Sequence, residues 1–167
     1  MAYIYADDLM DAFQAMGFVT AQDRLFQMEL TRMVAAGRIS ELVGEKALPL
    51  DRRMRTIGIR RLAERHARLL QNDSTAYFQA YIDGVNSFVE RYPEDHHLEF
   101  KLSGIQPTRW SLADVLSIMY YMSWSTSANI KTEIITQMLI DRLGPETAAD
   151  LFPLNINPDE AAGRTPD

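Results

Sequence analysis

Asp7-Asp8-Leu9-Met10-Asp11-Ala12-Phe13-Gln14-Ala15-Met16-Gly17-Phe18-Val19-Thr20-Ala21-Gln22-Asp23-Arg24-Leu25-Phe26-Gln27-Met28-Glu29-Leu30-Thr31-Arg32-Met33-Val34-Ala35-Ala36-Gly37 decides the fold class. Leu9, Phe13 and Met16 recur at spacings of four and three, which stacks them on one face of a helix. Asp7 and Asp8 stand where a carboxylate accepts the orphan amides of a first turn. Gly17 loosens the segment, and Phe18, Leu25, Leu30 and Met33 carry the apolar character on to Gly37. The pattern predicts one long or kinked helix.

Helical periodicity continues outward from this stretch, and strand alternation is almost absent. Ser40 to Val43 reads as a short helical turn closed by Gly44, and Pro49 separates it from an arginine-rich helix. Asn72-Asp73-Ser74 is a loop and cap signal. Phe78, Ile82, Val85 and Val89 then form an i, i+4, i+7, i+11 stripe, widened by Tyr77, Tyr81 and Phe88 and ended at Tyr92-Pro93. Gln106 to Trp110 reads as an extended connector. Ser111 with Asp114 approximates a capping box for a helix lined by Leu112, Val115, Ile118, Met119 and Met122. The hydroxyl-rich run from Ser123 to Ser127 is expected to break that helix. A last helix is expected from about Lys131 to Leu143, stopped by Gly144-Pro145. Residues 1–158 are read as a single helical domain, and 159–167 as a frayed polar tail.

The 167 residues carry 17 Lys and Arg against 23 Asp and Glu, a formal charge of -6 that repels phosphate backbones. Nucleic acid is therefore not an expected partner. The densest basic run, Asp51 to Arg55 followed by Arg60-Arg61, is interrupted by Met54, Ile57 and Ile59 and reads as the solvated face of a helix. No apolar run approaches the roughly 20 residues of a membrane span, and no signal-peptide pattern opens the chain. With no Cys, disulfides, thiolate metal sites and a cysteine nucleophile are excluded. His66, His96 and His97 form no zinc frame, and no serine elbow, phosphate loop or dinucleotide fingerprint occurs. Asp7-Asp8 and Glu94-Asp95 with Glu90 read as caps and solvent-facing turns. By chemistry alone Glu133 is a helix-entrance carboxylate, favoured there by the helix dipole.

Four ordered blocks carry a family resemblance: Gly17 to Leu30, Gly37 to Gly44, Tyr81 to Phe88, and Leu102-Ser103-Gly104 through Pro107 and Trp110 to Asp114. Together they resemble the penicillin acylase family of N-terminal-nucleophile amidohydrolases. The resemblance implies a mainly helical α subunit, cut from a precursor, that completes an αββα sandwich with a larger β chain. In such enzymes the first residue of the β chain, usually Ser, attacks the amide carbonyl while its own α-amino group takes the proton. This chain begins Met1-Ala2 and cannot supply that nucleophile, so no catalytic residue is assigned here; where Met1-Ala2 stands the family usually has a strand with glycine-valine-proline, so an altered start, a trimmed chain or an incomplete gene model is expected.

The resemblance implies two site elements. The distance from Trp110 to Glu133 matches that from the corresponding tryptophan to a calcium-binding glutamate in penicillin G acylases. This implies a structural calcium ion at Glu133 shared with the β chain, and no organic cofactor. The segment after the helix from Ser111 to Met122 lines the acyl side of the substrate pocket in the family and moves with ligand. There an ungapped reading puts Ser123, Thr126 and Ser127 on a methionine, an arginine and a phenylalanine, and Trp124 refills part of the space. The implied substrate-binding set is Ser123, Trp124, Thr126 and Ser127. The substrate is then the linear amide of a small N-acyl compound other than phenylacetyl: a β-lactam side chain, an acyl-homoserine lactone or a lipopeptide acyl group. Gln22, Asp23, Arg24, Phe26 and Gln27 are read as packing residues, with Asp23 and Arg24 partnered if buried. Family analogy places the enzyme in the periplasm or outside the cell. The competing reading is a non-enzymatic helical interaction module that binds protein through its Met-rich stripes.

Overall fold

The structure, a computed structural model, describes residues 2–70, 73–92, 97–127 and 130–151. Among the described residues every regular element is helical, as the periodicities predict. The chain divides into two compact units, Met1–Trp124 and Ser125–Asp167.

In the first unit, helix α1 (Leu9–Ala36) starts where the Asp8 carboxylate accepts the Asp11 amide at 2.9 Å, and stops at Gly37 in the left-handed region (φ 65°). It is kinked at Arg24, whose backbone leaves helical geometry (φ -149°, ψ 31°). Neither proline nor glycine causes this. The His97 imidazole Nε2 lies 2.8 Å from the Gln22 carbonyl, an acceptor that a straight helix would pair with the Phe26 amide. Asp23 and Arg24 pair with each other at 2.8 Å although both are exposed.

Short α2 (Ser40–Val43) ends at Gly44 and leads through a 3-10 turn to α3 (Leu48–Ile57). Pro49 does not precede α3 but sits in its first turn, where a missing amide costs no hydrogen bond. Gly58 then divides the arginine-rich run into α3 and α4 (Ile59–Leu69). The Asp51 carboxylate accepts the Ile39 and Ser40 amides, each at 2.9 Å, and ties α3 to α2.

Helix α5 (Asp73–Arg91) runs antiparallel to α1, with Gly17 facing Tyr81 and Gly84 facing Gln14. The approach is close enough to require glycine. A Cβ on Gly17 would lie 2.0 Å from the Tyr81 carbonyl oxygen, and one on Gly84 1.9 Å from that of Gln14. Around this crossing Ala21, Leu25, Ile82, Val85, Phe88, Phe100 and Trp110 form the main core. Phe100 comes from α6 (Leu98–Ser103), a short helix that the sequence periodicity does not signal. A smaller cluster joins Ala35, Met54 and Ile59, with Tyr120 and Tyr121 packed on it.

Helix α7 (Leu112–Thr126) corrects two expectations. Its buried face is Ala113, Asp114, Leu116 and Ser117, whereas Met119 and Met122 of the apolar stripe are exposed. It also continues through Ser123 to Thr126 where a break was expected. Residues 112–126 contain neither glycine nor proline, and each hydroxyl residue costs only about half a kcal/mol of helix propensity.

The second unit holds α8 (Ile130–Leu143) and α9 (Pro145–Leu151). Gly144 (φ 82°) stops α8 as expected, but Pro145 opens α9, a helix the sequence pattern does not announce. His96, Glu94, Asp95 and the 159–167 tail lie outside the described residues.

Candidate functional site

The structure of the candidate segment begins at the cap of α7. Asp114 accepts both the Ser111 amide at 2.8 Å and the Ser111 hydroxyl at 2.5 Å. This is half of the expected capping box, because the serine hydroxyl serves the carboxylate rather than an orphan amide.

Asp114 also joins a buried charge cluster. Its Oδ1 accepts Arg60 Nη1 at 2.5 Å and lies 3.7 Å from Arg32 Nη1. Arg32 donates from Nη2 to both Glu29 oxygens at 2.6 Å and to the Thr108 hydroxyl at 2.5 Å. Its guanidinium also lies 5.0 Å from the Trp110 ring centroid. Glu29, Arg32 and Asp114 are each buried, so each charge depends on the others. Arg60, read from sequence as a solvated residue, is half-buried here and also binds Glu64 at 2.7 Å. Burial raises the Glu29 carboxyl above its ordinary value, outweighing Arg32. Asp114 moves the other way: burial alone would raise it, but Ser111, Arg60 and Arg32 together hold it below the ordinary carboxylate range. The sequence signal for this cluster was Glu29-x-x-Arg32 inside an apolar stretch.

A second missed residue is Asn86. Its side chain donates to the Trp110 carbonyl at 3.0 Å and accepts the Trp110 amide at 2.7 Å, entirely buried. The connector before α7 is thus fixed from α5, and the Tyr81 to Phe88 block has a structural use at each of Gly84, Val85 and Asn86.

At the far end of α7 the sequence-derived residues are presented outward. Ser123, Thr126 and Ser127 are exposed, and Trp124 is 37% exposed. Ser123 and Thr126 lie one turn apart and so share a helix face, with Ser127 in the adjoining turn. Two contacts involve the α7 residues Tyr120 and Trp124 of the first unit. His66 Nδ1 of α4 lies 2.7 Å from the Tyr120 hydroxyl. The Arg53 guanidinium of α3 lies 5.3 Å from the Trp124 ring centroid. Beside α7, an apolar hollow of about 280 Å³ is lined by Phe13, Met16, Phe78, Tyr81, Ile118 and Met119, among others.

Glu133 lies in the first turn of α8 and is exposed. Among the described residues no group of three or more His, Asp or Glu side chains could hold a metal. Calcium takes about 6 to 8 oxygens, so this carboxylate could contribute only a minority of them. No described helix is long and apolar enough to cross a membrane.

Residues 1–162 match the model of the family described as penicillin amidase. The chain is 35% identical over 150 residues to the acyl-homoserine lactone acylase QuiP of Pseudomonas aeruginosa, covering 90% of this chain and 18% of that protein. It is 37% identical over 117 residues to the penicillin acylase 2 proenzyme of Pseudomonas sp. strain SE83, covering 70% and 15%. The chain therefore spans less than a fifth of the length of these curated relatives. Among solved structures it is similar to a chain of the thermostable penicillin G acylase from Alcaligenes faecalis, with a TM-score of 0.65 and 27% identity, covering 99% of this chain and 91% of that one. The helical architecture, the motif blocks and these matches agree: the chain belongs to the penicillin amidase family.

Proposed function

We propose that this chain is the α subunit of an amidohydrolase that cleaves the linear amide of an N-acyl compound, with an acyl-homoserine lactone or a related aliphatic acyl amide as the favoured substrate. The observation that carries the reading is the family match over residues 1–162, together with a solved penicillin G acylase chain that this one covers almost end to end. The reactive groups belong to a larger companion chain, whose N-terminal hydroxyl residue is the nucleophile and whose α-amino group is the base. This chain contributes shape. Ser123, Trp124, Thr126 and Ser127 border the acyl group, and three hydroxyl side chains in place of bulkier ones, with the Trp124 indole refilling part of the space, favour an acyl group other than phenylacetyl.

The apolar hollow beside α7 and the exposed Met119, Met122, Ile134, Ile135 and Met138 are surfaces that another polypeptide would cover. Glu133 supplies one ligand of a structural calcium ion completed by the companion chain; the ion supports assembly and takes no part in proton transfer. A periplasmic or extracellular location goes with this reading.

The test is co-expression with the companion chain and assay against a panel of N-acyl amides. Activity is expected only when both chains are present, with aliphatic acyl substrates preferred over phenylacetyl ones. Turnover by the isolated chain would overturn the reading. In the assembled enzyme, Glu133→Gln is expected to lower bound calcium, measured by elemental analysis, and the melting temperature, with kcat unchanged at saturating calcium.

A further inference from the structure

Helix α3 is fixed on three sides. Asp51 takes the Ile39 and Ser40 amides, Met54 is 1% exposed in the smaller core cluster, and Arg55 Nε donates to the Gly37 carbonyl at 2.8 Å. Between these anchors Arg53 is exposed, and its guanidinium lies over the Trp124 ring. On the same helix as Trp124, one turn earlier, the Tyr121 ring lies 6.3 Å away with an interplanar angle of 34°. The indole therefore has a cation over the ring and an aromatic neighbour at its side, while more than a third of it faces outward. An indole held by two contacts loses rotamer freedom that it would keep at an unsupported helix end.

We propose that Arg53 is a positioning residue for acyl selection: by holding Trp124 in one orientation at the end of α7, it sets the shape of acyl group that this segment admits. The proposal rests on the reading that Trp124 borders the acyl pocket. Arg53 itself does not touch substrate. Rigid anchoring of α3 matters here, because a cation on a mobile helix would move with the indole rather than fix it.

The experiment uses the assembled two-chain enzyme and the p-nitroanilides of phenylacetic, octanoic and dodecanoic acids. Arg53→Met keeps the apolar stem and removes the cation. It is expected to change the ratio of kcat/KM between dodecanoyl and octanoyl substrates by about two- to fivefold, a size set by an exposed cation-aromatic contact. The change should reside in KM, with kcat for the better substrate unchanged. Arg53→Lys, which retains a cation, should restore most of the ratio. Trp124→Ala should change the same ratio at least as much. If Trp124→Ala shifts it and Arg53→Met does not, the positioning role is wrong and the pocket reading stands. If Trp124→Ala leaves the ratio unchanged, the pocket reading fails, and the role of Arg53 fails with it.

Discussion

Helix α1 is held at two places by opposite means. Against α5 it is held by absence: Gly17 and Gly84 bring backbone against backbone, and the surrounding contacts are apolar. Against the start of α7 it is held by charge, through Glu29, Arg32 and Asp114, the last of which also takes Arg60 of α4. The glycine crossing tolerates nothing added. The charge cluster tolerates nothing removed, since a lost partner leaves a buried ion without compensation. The directional interaction fixes the start of α7, and the steric one fixes the scaffold that carries it.

The largest effect should come from breaking the cluster. Asp114→Ala leaves Arg32 with a single carboxylate, takes one carboxylate from Arg60 and removes the Ser111 cap, and is expected to destabilise the chain by roughly 3–5 kcal/mol in denaturant titration. A loss under about 1 kcal/mol would mean that the charges are dispensable. Next is Gly84→Ala, which puts a methyl group 1.9 Å from the Gln14 carbonyl and 2.8 Å from the Phe18 amide nitrogen. The helices must separate, at a cost of about 3 kcal/mol, the upper end for overpacking. Hydrogen exchange should show this as faster exchange at Val85 and Ala21, with the cluster residues less affected; uniform acceleration would erase the contrast between the two attachments.

The smallest effect is acid dependence, which separates the carboxylates by sign. Asp51 and Asp114 are held below their ordinary values, so their contribution is present above the ordinary carboxylate range and is lost as pH falls through the depressed values. For Asp51, burial opposes the shift, and the Ser40 hydroxyl and the Ser40 and Ile39 amides outweigh it. Glu29 is raised by burial, so acidification through its raised value relieves a penalty and contributes in the opposite sense. Stability should therefore begin to fall below about pH 5, where the aspartates of the unfolded chain start to protonate, and continue to fall through the depressed values. Asp51→Asn should flatten that fall, whereas Glu29→Gln should not.

The stripe on α5 was legible in the sequence because Ile82 and Val85 enter one core, and a single buried face imposes one period. Helix stops at Gly37, Gly44 and Gly144 were legible because a left-handed residue favours glycine. The bend in α1 was only half legible: Gly17 suggested looseness, but the distortion sits at Arg24, where an imidazole from 75 residues away takes a carbonyl. The extension of α7 was hidden because hydroxyl residues are weak breakers, and a helix runs through them unless a glycine or proline stands among them. Pairings such as Arg32 with Thr108 and Arg60 with Asp114 join residues that no local window contains. For the candidate pocket residues, position on the helix was legible and surroundings were not, since the guanidinium that lies over the Trp124 ring comes from Arg53 on another element.

Gly17, Ala21 and Leu25 of α1 meet α5 or the main core on both sides of the bend at Arg24, and Ala35, further along, joins Met54 and Ile59. At about 3.6 residues per turn these positions fall along one face of the helix. A single continuous strut therefore serves two separate cores in series, and the bend lies within its contact with the first.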